Sequence, residues 1–148
     1  LPSLSSPWKP HIKTIPAAGR KTRNKGKIKN KAMTTVELIK SIAFDFGWTV
    51  STDEEEDTVV FDFRYYTKHG LDYGFCAELT GNKFDGFLRE VERNCEDFDP
   101  DYEAYRWIGY DGHGKCGAPY HIKDIVDEME EAKKLFTDFY NSLKTALT

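Results

Sequence analysis

Long apolar runs are missing from this sequence. No stretch of about 18 consecutive apolar residues occurs, which argues against a membrane-spanning helix. No apolar stretch of about 7–15 residues follows the N-terminal charges, so no secretory signal is expected. Cysteine is scarce: Cys76, Cys95 and Cys116 make an odd number, and no CxxC pair is present. That count argues against a disulfide framework and fits reduced thiols in a cytoplasmic protein. The phosphate-binding spacings GxxxxGKS/T and GxGxxG are absent as well. No internal repeat is visible.

Acidic residues are missing from one end only. Residues 1–32 hold nine Lys and Arg and no Asp or Glu. The remaining 12 basic and 25 acidic residues follow Ala32, giving 12 − 25 = −13 for residues 33–148. Pro2, Pro7, Pro10 and Pro16 break regular structure in the basic stretch, and Arg20 to Lys31 offers only Ile28 as core material. It reads as a disordered tail or as a translated leader ahead of Met33, the first methionine. A native tail would either stay solvated or serve as an arm that binds nucleic acid by neutralising phosphates.

The 116 residues from Met33 onward suffice for one domain with its own core. Thr34 and Glu37 stand at capping-box spacing before a helix expected from Thr35 to Phe46, which Gly47 ends. Trp48 and Val50 open a short strand, and a polar turn is expected from Ser51 to Asp57. Val59, Phe61, Phe63 and Tyr65 alternate with Val60, Asp62, Arg64 and Tyr66, the two-residue period of a half-buried strand. A third strand, Asp72 to Leu79, follows the turn Lys68-His69-Gly70. Phe84, Phe87, Leu88, Val91 and Cys95 stripe a helix over about 83–96. Tyr102 to Tyr110 is ambiguous and leans towards a fourth strand. Ile125, Met129, Ala132, Phe136, Phe139 and Leu143 belong to a continuous helical stripe reaching Leu147. The expected fold class is α+β: an antiparallel three- to four-stranded sheet with three helices, the long amphipathic C-terminal helix packed on it.

Two features could carry function. The loop Asp111-Gly112-His113-Gly114-Lys115-Cys116-Gly117-Ala118-Pro119 has glycines that permit close backbone approach, with Lys115 as counter-charge to a phosphate or carboxylate. The same spacing suits a long connection that needs glycines to turn. His113, Cys116 and His121 are candidate zinc ligands or a thiol–imidazole pair, but two residue types in one loop are weak grounds for either. No metal or cofactor is therefore assigned. The second feature is the acidic surface: Asp53-Glu54-Glu55-Glu56-Asp57, then acids between Glu90 and Glu103, then Asp124, Asp127, Glu128 and Glu131. Such a surface either keeps the protein solvated or attracts a basic partner. Tyr65, Tyr66, Tyr73, Tyr102, Tyr105, Trp107 and Tyr110 could include an exposed patch, although core roles are expected for most.

The segments Asp101–Tyr105 (DYEAY), Trp107, Asp111–Lys115 (DGHGK) and Gly117–Pro119 (GAP), followed by an acidic amphipathic helix, carry a resemblance. The stretch from Phe98 to Met129 resembles small acidic α+β proteins of gut bacteria of the Bacteroides and Firmicutes type, often encoded near mobile elements. The resemblance implies a bacterial or phage setting and no mechanism. Residues 1–32 lie outside it. No motif fixes a reaction, so the reading that results is a non-enzymatic protein engaging a basic partner, such as a nucleic-acid-handling protein. A small-ligand domain built on the glycine-rich loop is the alternative.

Overall fold

The computed structural model describes residues 34–148. The basic segment and the expected start at Met33 lie outside the described residues. The chain divides after Gly47 into two units. In the first, α1 runs Thr35–Asp45. The Thr34 hydroxyl accepts from the Glu37 amide, and the Glu37 carboxylate accepts from the Thr34 amide, so the capping box closes as expected. Gly47, at φ +89°, follows the C-terminal cap, where a left-handed residue is needed.

The second unit holds three strands and three helices: β1 (Thr49–Glu55), β2 (Thr58–Tyr66), β3 (Asp72–Thr80), α2 (Phe84–Asp97), α3 (Pro100–Arg106) and α4 (Ile122–Leu147). The sheet is an antiparallel meander in the order β1-β2-β3. Its register pairs Val50 with Phe63 and Phe63 with Phe75, so the apolar positions of all three strands share one face. With helices beside an antiparallel sheet, the architecture is α+β, and the long C-terminal helix packs on the sheet.

Trp48, placed just before β1, is the centre of the core. Its ring centroid lies 5.1–6.5 Å from those of Phe63, Tyr65, Tyr73, Phe75, Phe136 and Phe139. These residues come from β2, β3 and α4. Phe61 and Phe87, 5.3 Å apart, extend the cluster to α2. Edge-to-face and tilted pairs of this kind add to the burial of area. Trp48 is almost fully buried, yet its Nε1 has no hydrogen-bond partner among the described residues.

Two expectations need correction. The segment Tyr102 to Tyr110 contains no strand. Asp99 caps α3 by accepting from the Asp101 amide at 3.0 Å, and Pro100 takes the first turn, where its missing N–H costs nothing. Pro100 therefore ends one helix and begins another. The sheet keeps three strands, and the described residues hold four helices rather than three. The expected turn from Ser51 to Asp57 is also mostly strand. Asp53, Glu54 and Glu55 pair with Val60, Val59 and Thr58, and only Glu56 and Asp57 turn. Acids have low strand propensity, but pairing with a strongly β-forming neighbour overrides it.

Trp48→Ala should lower the free energy of unfolding by about 3–5 kcal/mol in urea denaturation. Trp48→Phe should cost less than half as much, because it also removes an unsatisfied N–H. Alkaline pH gives a second check. Tyr73 donates its hydroxyl to the Asn94 carbonyl at 3.2 Å. Burial, with Glu103 and Asp97 nearby, pushes its phenol from 10.0 to about 12. The unfolded chain then releases this proton before the folded chain does. Stability is fully present below pH 10.0 and falls as pH rises towards about 12. Tyr73→Phe should flatten part of that decline in unfolding curves taken across this window.

Candidate functional site

The glycine-rich loop is built back onto the helix before it. Trp107, just after α3, is buried. Its carbonyl accepts from the Lys115 amide at 3.0 Å, and Ile108 bridges Gly114. The Gly109 amide donates to the His113 carbonyl at 2.7 Å and the Gly112 amide to the Gly109 carbonyl at 3.1 Å. The Gly114 amide donates to the Tyr120 carbonyl at 3.1 Å, the Ala118 amide to the Lys115 carbonyl at 3.1 Å, and the His113 amide to Asp111 Oδ1 at 3.1 Å. A Cβ on Gly114 would stand 1.9 Å from the Pro119 carbonyl oxygen, so only glycine fits there. Gly112 and Gly117 take φ of +80° and +89° for the turns.

This geometry decides how the loop reads. An anion nest needs several amides pointing at empty space. Here the amides of Gly109, Gly112, His113, Gly114, Lys115 and Ala118 are donated to the loop's own oxygens or to the Trp107 carbonyl. The glycines serve closure of the loop. His113 stacks on Tyr120, with centroids 3.9 Å apart and planes 15° from parallel. Among the described residues no group of three or more His, Cys, Asp or Glu could hold a metal ion. Lys115 and Cys116 are exposed.

The acids divide into two kinds. Asp127 pairs with Lys123 at 2.7 Å, one turn away. Glu128 is largely covered and takes both the His69 amide, at 2.9 Å, and His69 Nδ1, at 2.6 Å. It fastens the β2–β3 turn to α4 and is a structural group rather than a surface charge. Asp124 and Glu131 are exposed on α4. By contrast, Asp53, Glu54, Glu55, Glu56 and Asp57 are all exposed and make no ion pair among the described residues. Three lie on the outermost strand and two form its turn. Glu56 holds φ +53°, a left-handed backbone unusual for a residue with a Cβ.

Sequence reasoning missed several of these placements. It took Asp53–Glu55 for a turn, although Val50 and Thr52 alternate with Ser51 and Asp53 and could have signalled a strand. It counted Glu90 with the acidic surface, whereas the Glu90 carboxylate accepts from the Glu78 amide of β3 at 2.8 Å. It expected most of the named aromatics to be core, whereas Tyr66, Tyr102, Tyr105 and Tyr110 are exposed. An open cleft of about 200 Å³ between α2 and α4 is lined by Leu88, Arg89, Glu92, Tyr140 and Lys144. It is smaller than the usual small-molecule site, and its charges are mixed. No helix among the described residues is long and apolar enough to cross a membrane.

No family model, no curated protein and no solved structure matches this chain.

The Glu56 backbone supplies a test. Left-handed φ costs a residue with a Cβ about 1–2 kcal/mol relative to glycine. Glu56→Gly should therefore raise stability by about 1 kcal/mol in urea denaturation. A loss of stability would show that the Glu56 side chain contributes to the fold.

Proposed function

We propose that this chain is a small acidic interaction protein that binds a basic protein surface and carries out no reaction of its own. The supporting observation is the exposed run from Asp53 to Asp57. Its five carboxylates make no ion pair among the described residues, whereas other acids of the chain are in part spent on structure. They extend along one strand and its turn, so they form a linear array rather than a scattered surface. Such an array raises the local concentration of a cationic partner and steers its approach. A groove that normally holds phosphates, as in a nucleic-acid-handling protein of a bacterium or phage, has the complementary charge. The resemblance of Phe98–Met129 to proteins encoded near mobile elements is consistent with that partner class. The glycine-rich loop supports a phosphate site less well, because the amides of Gly112, His113, Gly114, Lys115 and Ala118 are already bonded.

Affinity capture with the full chain tests this. A partner retained at low ionic strength should elute at moderate salt, since screening shortens to about 8 Å near 0.15 M. A variant carrying Asp53→Asn, Glu54→Gln, Glu55→Gln, Glu56→Gln and Asp57→Asn should bind the same partner at least tenfold more weakly. Retention unaffected by salt, or equal binding by the variant, would remove the support for charge-driven recognition through this array.

A further inference from the structure

The two edges of the sheet are finished differently. Along β3, α2 supplies an acceptor: the Glu90 carboxylate takes the Glu78 amide. Along β1 nothing comparable occurs. β1 pairs with β2 on one side, and among the described residues no hydrogen bond is made on its other side. Thr49, Ser51, Asp53, Glu54 and Glu55 are exposed, and Val50 and Thr52 are only half-buried although they belong to the core face. The sheet thus ends on an unpaired row of backbone groups with an apolar face left partly uncovered beside it.

From this we infer that β1 is a docking edge for an extended Lys/Arg-rich peptide segment, which adds to the meander as a fourth strand. This rests on the charge-driven reading of the Asp53–Asp57 array, and it names the binding mode. Addition to a free edge is a recurrent way to recognise an extended segment, with main-chain bonds supplying affinity and alternate side chains supplying selectivity. Charge decides among possible occupants. A second copy in parallel register would bring acids beside acids, which repel across a strand pair, and an antiparallel copy would set its uncharged Thr49, Val50 and Ser51 beside Glu55, Glu54 and Asp53. A basic strand brings cations to Asp53, Glu54 and Glu55 and gains what a second copy does not supply.

The register sets the pattern of the occupant. β1 has seven residues, about 23 Å of strand at about 3.3 Å per residue. An antiparallel occupant would place its N-terminal half beside Asp53, Glu54 and Glu55, where basic residues belong on both faces. Its C-terminal half would lie beside Thr49 to Thr52. There, side chains on the helix-covered face would extend the half-buried surface of Val50 and Thr52 and should be apolar. Those on the outer face would lie beside Thr49 and Ser51 and should be polar.

The probe is a seven-residue peptide matching β1, with Lys and Arg in its N-terminal half and alternating Val and Thr in its C-terminal half. Binding to the full chain is read by fluorescence anisotropy, and the amides of Thr49–Glu55 by hydrogen exchange in NMR spectra. Peptides N-methylated at alternate residues, in each of the two phases, keep the charge and remove hydrogen bonds from one edge only. We expect one phase to lose affinity at least tenfold and the other to keep it, with slowed exchange at alternate β1 amides. Equal binding by both phases, no slowed β1 amide, or no binding of the unmodified peptide overturns strand addition. The combined variant Asp53→Asn, Glu54→Gln and Glu55→Gln separates the two ideas. If it weakens binding while both N-methylated phases bind alike, the charge reading stands and strand addition falls. If it binds as tightly as the wild type, the charge reading falls, and this proposal falls with it.

Discussion

The second unit is organised around a single indole. Trp48 stands where the chain enters the sheet, and rings from β2, β3 and α4 close on it from several directions. An indole N–H without a partner in a dry site costs about 1–3 kcal/mol. The area that the indole buries against Tyr65, Phe75, Phe136 and Phe139 offsets that cost. The same packing fixes which face of the sheet is inside. Once Phe61, Phe63, Phe75 and Leu79 turn inward, the alternate positions Asp62, Arg64, Cys76 and Glu78 must face away. The outer face is therefore polar by geometry, and Asp53 and Glu55 of β1 follow from the same alternation, whereas Glu54 falls on the core face opposite Val59.

Where one periodicity dominated a segment, its structure was legible from the residues. The alternation in β2 and β3 placed their faces, the stripe of α4 placed its buried side, and Thr34 with Glu37 marked the start of α1. Difficulty came where two rules competed. In Tyr102–Tyr110, aromatic and β-branched residues favour a strand, whereas Asp99-Pro100 favours a helix start. The cap prevailed because it satisfies backbone donors at once, while a fourth strand would have needed a partner edge. In Ser51–Glu55, composition favours a turn, and pairing with Val59, Val60 and Phe61 overrode it.

The candidate sites were less legible than the fold, for a physical reason. Residue types show what a backbone could do, but not which amides are already bonded. The glycines from Gly112 to Gly117 permit a nest, yet the amides of Gly112, Gly114, Lys115 and Ala118 are already given to the carbonyls of Gly109, Tyr120, Trp107 and Lys115. Glu128 looked like one more surface acid and proved to be the acceptor that holds His69. The acids of β1 differ because they make no ion pair among the described residues.

The way the loop after α3 is closed has a consequence for engineering the chain. Long glycine-bearing connections are the usual places to insert a tag or to cut and rejoin a protein. Here the connection is stitched at the Ile108–Gly114 bridge and packed by the His113–Tyr120 stack, with no room for a Cβ at Gly114. The Thr67–Leu71 turn is likewise anchored, through His69, to α4. The Gly81–Lys83 link carries a lighter load. Gly81 and Gly86 beside it have open space around them; the Gly81 amide donates to the Asp57 carbonyl at 2.8 Å and the Lys83 amide to the Thr80 carbonyl at 3.0 Å. New chain termini opened between Asn82 and Lys83 would keep Gly81 bonded to Asp57 and leave both the aromatic core and the acidic strand with their own segments intact. A glycine count alone would have directed such a graft to the loop least able to accept it.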